Sequence, residues 1–335
     1  MKDKNLRNMI LLSLLSLAAI VIPAVLIEAR VVDAYSAQII TLAGINALMA
    51  ISVNVISGIT GQLSLGQAGF EAVGAYMVIA LTESLGIPLP VSILLAAFIA
   101  AFIGFLIGFP TLKLEGDYLA IVTLAFGEII RVFLVNLKDL TGGPNGKQFS
   151  TVLTTSLDHG AMISYLAIIG TLVLVIALLH NFIRSTYGRA ILAVREDEIA
   201  ARSNGISVFR YKMIGFVIAS FIAGLAGGLY APFIGFIQPK QFDFNASIND
   251  LIYVVFGGMG SVTGSVIAAF SLTILQEALR ILKDYRLLIY PVLLTLMMLF
   301  RPQGLLGTKE ISFTGLYEKA PAFCRRLLSR FRKEA

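Results

Sequence analysis

Acidic side chains occur inside long apolar runs of this sequence. An ionised group there costs free energy, so it is expected only where it has a partner of opposite charge or a role in transport. Glu128 is followed by Arg131, and Glu277 by Arg280. The three-residue spacing places each acid and base on one face of a helix. Such pairs either neutralise each other or pass a proton or cation across a membrane, and we favour neutralisation. Glu71 has no evident local partner, so it is the stronger candidate for a transport role.

The other reactive residues form no catalytic or metal-binding pattern. The two histidines are far apart and Cys324 is the single cysteine, so neither a metal site nor a disulfide framework is expected within one chain. GGPNGK (142–147) is similar to a phosphate loop, but its spacer does not fit and Gln148 stands where Ser or Thr would bind Mg²⁺. GGMGSVTG (257–264) lacks the GxGxxG spacing of a dinucleotide site. We therefore predict that this chain is not an enzyme and binds no cofactor.

The composition is that of a polytopic membrane protein, with 57% hydrophobic and only 14% charged residues. Apolar runs long enough to cross roughly 30 Å of hydrocarbon recur along the chain. Runs such as 163–179 do not alternate, which argues against a transmembrane barrel. Backbone amides in lipid need internal partners, so helices are expected. We predict an all-α polytopic membrane protein of about ten transmembrane helices, some of them short or broken.

The positions of the basic residues predict the topology. Lys2, Lys4 and Arg7 place the N-terminus in the cytoplasm, and the basic C-terminal residues belong there too. The run 9–27 is longer than the apolar region of a signal peptide, so we interpret it as an uncleaved first span. The candidate spans are 9–27, 38–57, 67–82, 91–109, 118–137, 161–183, 213–237, 247–257, 264–281 and 287–300. With ten spans and a cytoplasmic N-terminus, residues 184–212 are expected in the cytoplasm and residues 137–160 outside the cell.

We divide the chain into a transmembrane domain (1–307) and a basic cytoplasmic tail (308–335). Phe323, Leu327 and Phe331 stand among arginines in the tail, a pattern typical of an amphipathic helix on an anionic lipid surface. The net charge of +6 is therefore a signal of topology and lipid contact. We expect a lipid bilayer and no nucleic acid as a partner.

Two Gly-rich segments interrupt the apolar pattern, GITGQLSLGQAGF (58–70) and GGMGSVTGS (257–265). Irregular backbone at membrane depth is tolerated only beside protein or a water-filled cavity, so we predict broken helices or re-entrant loops near a pathway. Close helix packing through small residues is the alternative, and both can hold. For the asparagines we favour hydrogen bonds between helices. The pathway candidates are Asn46, Asn54, Gln62, Ser64, Gln67, Glu71, Gly257, Gly258 and Gly260.

A polar segment, 184–212, lies between two long apolar runs, and we call it the polar island. Residues 191–204 are predicted to form one short helix that ends at Gly205. A simple link between spans needs few residues, whereas this one contains a helix with Ala200 and Ala201, small enough to dock into a groove. We favour docking of a partner over an ordinary solvated loop.

Seven blocks of the sequence occur in an order shared with a known family. They are GQLSLGQAGF (61–70), GDYLAIVTLAFGEIIRV (116–132), LTGGPNG (140–146), YGRAILAVREDEIAARSNGI (187–206), AGLAGGLYA (223–231), GGMGSVTGSVIAA (257–269) and RPQGL (301–305). This set resembles the LivM-type permease subunits of branched-chain amino acid ABC importers, over nearly the whole chain. Ser261 and Ser265 depart from the family pattern, where Thr and Pro are frequent.

The resemblance implies a machine of several subunits. A second, paralogous permease would complete the pathway, two cytoplasmic ATPase subunits would use ATP and Mg²⁺, and an external binding protein would deliver leucine, isoleucine or valine. The cell would be bacterial or archaeal and the location its cytoplasmic or inner membrane. The polar island would be the coupling helix, with an E-A-A and Gly pattern in which Ile199 is inserted. The implied ATPase-coupling residues are Arg195, Glu196, Asp197, Glu198, Ala200, Ala201 and Gly205.

Two alternatives stay open. The same type of importer serves urea, short amides or other amino acids if the binding protein sets specificity. A channel or ion-coupled carrier would instead use Glu71, Glu128 and Glu277 as a relay for protons or cations.

Overall fold

The computed structural model describes residues 33–114, 116–149, 160–280 and 303–307, together with 292, 295 and 299. The predicted first span (9–27), nearly all of the predicted last span (287–300) and the tail (308–335) lie outside the described residues.

Eleven α-helices occur in the described ranges, and they account for nearly all of the regular structure there. They are α1 (Ala34–Val53), α2 (Gln67–Leu85), α3 (Leu89–Thr111), α4 (Asp117–Asn136), α5 (Lys138–Thr141), α6 (Gly160–Arg184), α7 (Thr186–Glu196), α8 (Glu198–Ser203), α9 (Val208–Ile234), α10 (Phe244–Gly257) and α11 (Val262–Ala278). A π-helix (Asn54–Ile59) extends α1, and short 3₁₀ turns cover Gly143–Asn145 and Pro239–Phe242. Strands β1 (Lys147–Gln148) and β2 (Phe236–Ile237) pair antiparallel.

Six of these helices are long and apolar enough to cross a membrane: α1 with its π-helical extension, α2, α3, α4, α6 and α9. Helices α10 and α11 pass the same test together, with a bend of 119° between them. The span predictions from 38–57 to 264–281 coincide with α1–α4, α6 and α9–α11 within a few residues. The all-α polytopic architecture is therefore confirmed, whereas the total of ten depends on segments outside the described residues.

The central helix of the bundle is α9, which packs closely on α2 and α3 through small residues. A Cβ atom on Gly227 would lie 1.9 Å from the carbonyl oxygen of Glu71, and one on Gly74 would lie 2.1 Å from that of Gly224. Neither position has room for a methyl group. The AGLAGGLYA block is thus a packing face on which backbones approach each other, as is common between helices in membranes.

The connections between helices gather at two ends of the bundle. At one end, Glu83 forms an ion pair with Lys147 at 2.8 Å, next to the pairing of β1 with β2. The opposite end holds the π-helix of α1, the α10–α11 break and the polar island, and we call it the island end. The segments that the sequence singled out therefore meet at one end of the bundle.

Candidate functional site

The first Gly-rich segment is a break whose backbone lies inside the bundle. The π-helix ends at Ile59, and regular structure resumes only with α2 at Gln67. The Ser52 hydroxyl lies 3.1 Å from Oε1 of Gln67 and 2.8 Å from the carbonyl oxygen of Ala219, well within α1 and α9. Gln67 is 1% exposed. The predicted interruption is present, and α2 begins within the bundle instead of at its surface.

The second Gly-rich segment is a sharp turn between α10 and α11. Gly258 and Gly260 adopt φ values of +109° and +93°, which residues with a Cβ atom rarely adopt. Ser261 then caps α11, because its Oγ accepts a hydrogen bond from the Gly264 amide at 3.1 Å. The amide of Leu305, in the 303–307 turn, donates to the carbonyl of Phe256 at 2.8 Å. The break that the sequence predicted is therefore a capped turn that a later segment covers.

The two breaks contact each other directly. The Gly260 amide donates to Oδ1 of Asn54 at 2.8 Å. A Cβ atom on Gly58 would lie 2.4 Å from the Gly260 nitrogen, so the backbones can approach only because residue 58 is glycine. Asn46 also bonds between helices, donating to Oγ1 of Thr273 at 2.9 Å. Asn46 thus makes the interhelical bond that we favoured, whereas Asn54 bonds to the turn between α10 and α11. A pathway role for both asparagines stays a prediction.

Polar groups without partners concentrate at the first break. Gln62 donates from Nε2 to the carbonyl of Lys212 at 3.3 Å, but its Oε1 has no partner among the described residues. Most buried polar side-chain atoms that lack a hydrogen bond in the described ranges belong to this region, on Asn54, Ser57, Gln62, Ser64 and Gln67. Buried polar groups are nearly always satisfied, so this concentration distinguishes residues 54–67 from the rest of the bundle.

Asp250 is a buried acid that is not among the predicted site residues. Asp250 on α10 is 7% exposed, and its Oδ2 has no hydrogen-bond partner within the described part of the chain. Asp250 is close enough to Glu71 for their charges to interact, and Tyr230 is also close to Glu71. The signal was available, since Asp250 is an acid inside the predicted span 247–257. Glu71, which is half-buried, therefore has a buried acid nearby.

Glu128 and Glu277, the other acids predicted inside spans, have basic partners. Arg131 and Glu128 form an ion pair at 2.7 Å. Arg280 lies 3.2 Å from Glu277, and the Tyr35 hydroxyl bonds to the same carboxylate. Both pairs have the geometry expected for mutual neutralisation.

The polar island forms two helices, so the prediction of one helix over 191–204 is wrong. Asp197 leaves the helical conformation (φ −158°, ψ 110°) and its Oδ1 accepts from the amides of Ile199 and Ala200, at 2.8 and 3.0 Å. Because the Asp197 side chain caps the first turn of α8, it favours the start of a new helix over the continuation of α7. The stop at Gly205 is present, with φ +77°.

The second island helix, α8, is fixed to the bundle on one face and exposed on the other. Ala201 is 3% exposed and packs with Val194 and Val208. On the opposite face, Ile199 is 80% exposed, and Ala200 is exposed next to it. Of the two alanines predicted to dock, one therefore anchors α8 and the other lies on its free surface, beside a large apolar side chain.

The remaining predicted coupling residues lie around this helix. Glu198 forms an ion pair with Lys212, while Glu196, Asp197 and Gly205 are exposed. Arg195 is partly buried and points toward the breaks, where it lies close to both Gly61 and Gly260.

Comparisons with known proteins identify the family of this chain. The family model described as branched-chain amino acid transport system / permease component matches residues 35–301. The high-affinity branched-chain amino acid transport system permease protein LivM of Salmonella typhimurium is 38% identical over 296 residues, 81% of this chain and 70% of its own length. LivM of Escherichia coli K12 is also 38% identical, over 80% of this chain and 69% of its own. LivH of Escherichia coli K12 is 28% identical over 303 residues, 81% of this chain and 94% of its own. No solved structure matches the chain. This chain belongs to the family of branched-chain amino acid transport system permease components.

Proposed function

We propose that this chain is the membrane-spanning permease subunit of an ATP-driven importer for branched-chain amino acids. The observation that carries the proposal is α8, which is anchored by Ala201 and leaves Ile199 exposed, at the end of the bundle where both breaks meet. A helix fixed on one face and apolar on the other suits a partner that pushes on it. The family and the names of the relatives support leucine, isoleucine and valine as substrates.

The partners follow from the same reasoning. Permeases named LivM and LivH from one organism are both similar to this chain, which supports a complex of two paralogous permeases. Two ATPase subunits would bind ATP and Mg²⁺ at the island end, and an external binding protein would deliver substrate to the opposite end. In this arrangement the island end and both termini are cytoplasmic, in a bacterial or archaeal inner membrane.

Force would pass from α8 into the bundle by a short route. Glu198 on α8 is paired with Lys212 near the start of α9, and the Lys212 carbonyl accepts a hydrogen bond from Gln62 in the first break. Movement of α8 therefore changes both the central helix and the region with unpartnered polar groups. We propose that this rearrangement alternates access to a path between the two permeases.

An importer of the same type for urea, short amides or other amino acids is the second candidate, since the binding protein can set the substrate. The ion-coupled carrier is less well supported, because Glu128 and Glu277 both have basic partners. Glu71 is the remaining acid of that relay.

Reconstitution tests the proposal. The chain is co-expressed with the second permease, the ATPases and the binding protein that the proposal expects from neighbouring genes, and the complex is placed in proteoliposomes. We expect leucine uptake that requires both ATP and the binding protein, and that excess isoleucine or valine inhibits but excess urea does not. Leucine flux through the purified chain without ATP would contradict an importer, and urea uptake would support the second candidate.

A further inference from the structure

The side chain of Arg195 lies between the two Gly-rich breaks. A Cβ atom on Gly61, in the first break, would lie 3.0 Å from Cγ of Arg195 and 3.5 Å from its Cα. A Cβ atom on Gly260, in the second break, would lie 2.7 Å from Nη1 of the same arginine. The stem of one side chain therefore packs on the first break, and its guanidinium packs on the second.

Both contacts depend on glycine. Gly61 and Gly260 have φ values of +72° and +93°, so each break turns in a backbone conformation that L side chains rarely adopt. The missing Cβ atoms also leave the space that Arg195 occupies. Across the same junction, Asn54 accepts the Gly260 amide. Arg195 thus enters a junction in which the two breaks are already in contact.

The position of Arg195 in the island links it to the exposed helix. It belongs to the last turn of α7, two residues before Asp197, where the chain changes direction and α8 begins. A displacement of α8 moves this turn with it, because Asp197 belongs to both helix ends. The guanidinium would then move against Gly260 while the stem moves against Gly61.

We propose that Arg195 is a positioning residue that transmits movement of the island to both breaks at once. The inference rests on the proposed function but assigns Arg195 a role inside the bundle, separate from any contact with an ATPase. The route through Glu198, Lys212 and Gln62 makes direct contact with the first break only. Arg195 also reaches the second break and makes the two breaks move together.

The test uses the complete transporter in proteoliposomes and measures leucine transported per ATP hydrolysed. Arg195→Met keeps the stem that packs on Gly61 and removes the guanidinium near Gly260. Its matched control is Arg189→Met, because Arg189 is an exposed arginine on the same helix whose hydrogen bonds are local. We expect Arg195→Met to lower the transport-to-ATP ratio about tenfold with ATP hydrolysis retained, in the range of typical coupling between sites. Arg195→Lys should recover part of the ratio.

A double-mutant cycle separates transmission from simple stability. Gly260→Ala should lower the ratio by itself, because its Cβ would meet the Arg195 guanidinium and its φ of +93° strains the turn. Arg195→Met removes the first of these causes, so Arg195→Met combined with Gly260→Ala should lower the ratio less than the sum of the two single changes. A ratio in Arg195→Met within twofold of wild type, or full additivity in the cycle, would overturn the inference. Failure of the proposed function would show differently, as absence of ATP-dependent uptake in the wild-type complex.

Discussion

Glu198 and Lys212 form an ion pair, with 2.5 Å between Oε1 and Nζ, that fastens α8 to the start of α9. The two partners differ in burial: Lys212 is buried, whereas the Glu198 side chain is more than a third exposed. Removing the carboxylate leaves an ammonium group in a buried position without this partner, which is more costly than losing an exposed charge. The pair therefore fixes the orientation of α8 and also neutralises a buried charge.

Glu198→Gln should lower the free energy of unfolding by about 1 to 3 kcal/mol, because the Lys212 ammonium loses its counter-charge. Adding Lys212→Met to Glu198→Gln should recover most of that stability, since the buried charge is then gone. Thermal unfolding in detergent measures both effects. Leucine transported per ATP should be low in Glu198→Gln and also in the double variant, because both lack the ion pair that links α8 to α9. A double variant no more stable than Glu198→Gln would contradict the role of the pair.

Gly205→Asp should impair transport without impairing the fold. A Cβ atom at this position would have nothing within 4 Å, and φ is +77°, a conformation that Asn and Asp tolerate better than other residues. We expect membrane insertion and the melting temperature to stay near wild type while ATP-driven uptake falls, because a negative charge is added to the free surface beside α8. Gly205→Asn is the neutral control and should retain most uptake. Equal uptake in the Asp and Asn variants would contradict a docking surface here.

Ile199→Asp should weaken binding of the ATPase subunits. The side chain is 80% exposed, so the change removes apolar surface without opening a cavity. We expect the ATPase subunits to be lost during affinity purification of this variant, while Ile199→Leu, which keeps the apolar surface, retains them. Both variants should melt close to wild type. Retention of the ATPases by Ile199→Asp would show that they bind elsewhere.

Gly227→Ala should destabilise the bundle, because its Cβ would meet the carbonyl of Glu71 at 1.9 Å and force α9 away from α2. The expected cost is about 1 to 3 kcal/mol, as for other overpacked positions. Gly170→Ala on α6 is the matched control, since a Cβ there has nothing within 4 Å. Melting temperatures in detergent compare the two. A similar decrease in both variants would argue against close packing at Gly227.

Much of this arrangement was predictable from the sequence because membrane helices leave a strong local signal. Long apolar runs predict the transmembrane helices, since about 20 apolar residues are needed to cross the bilayer. Glycines beside polar residues predict both breaks, because such segments are unfavourable in contact with lipid and do not favour a regular helix. The three-residue spacing of Glu128 and Arg131 was enough to predict their ion pair.

The parts that could not be predicted depend on contacts between distant residues. Gly61, Arg195 and Gly260 belong to three separate segments, and no local pattern shows that they meet. Ala200 and Ala201 are neighbours, but a turn of about 100° per residue puts one on the surface and the other in the core. The division of the island at Asp197 depends on a competition between continuing one helix and capping the next, which composition alone does not decide.

Thiol cross-linking of the assembled complex tests the central claim, that α8 is where the ATPases bind. Cys324 is replaced by Ser, and a single cysteine is then placed at Ile199 on α8 or at Lys240, exposed near the β1–β2 end. With a short bifunctional reagent, the Ile199→Cys chain should join an ATPase subunit and the Lys240→Cys chain should not. A cross-link from Lys240→Cys to an ATPase, with none from Ile199→Cys, would contradict the account.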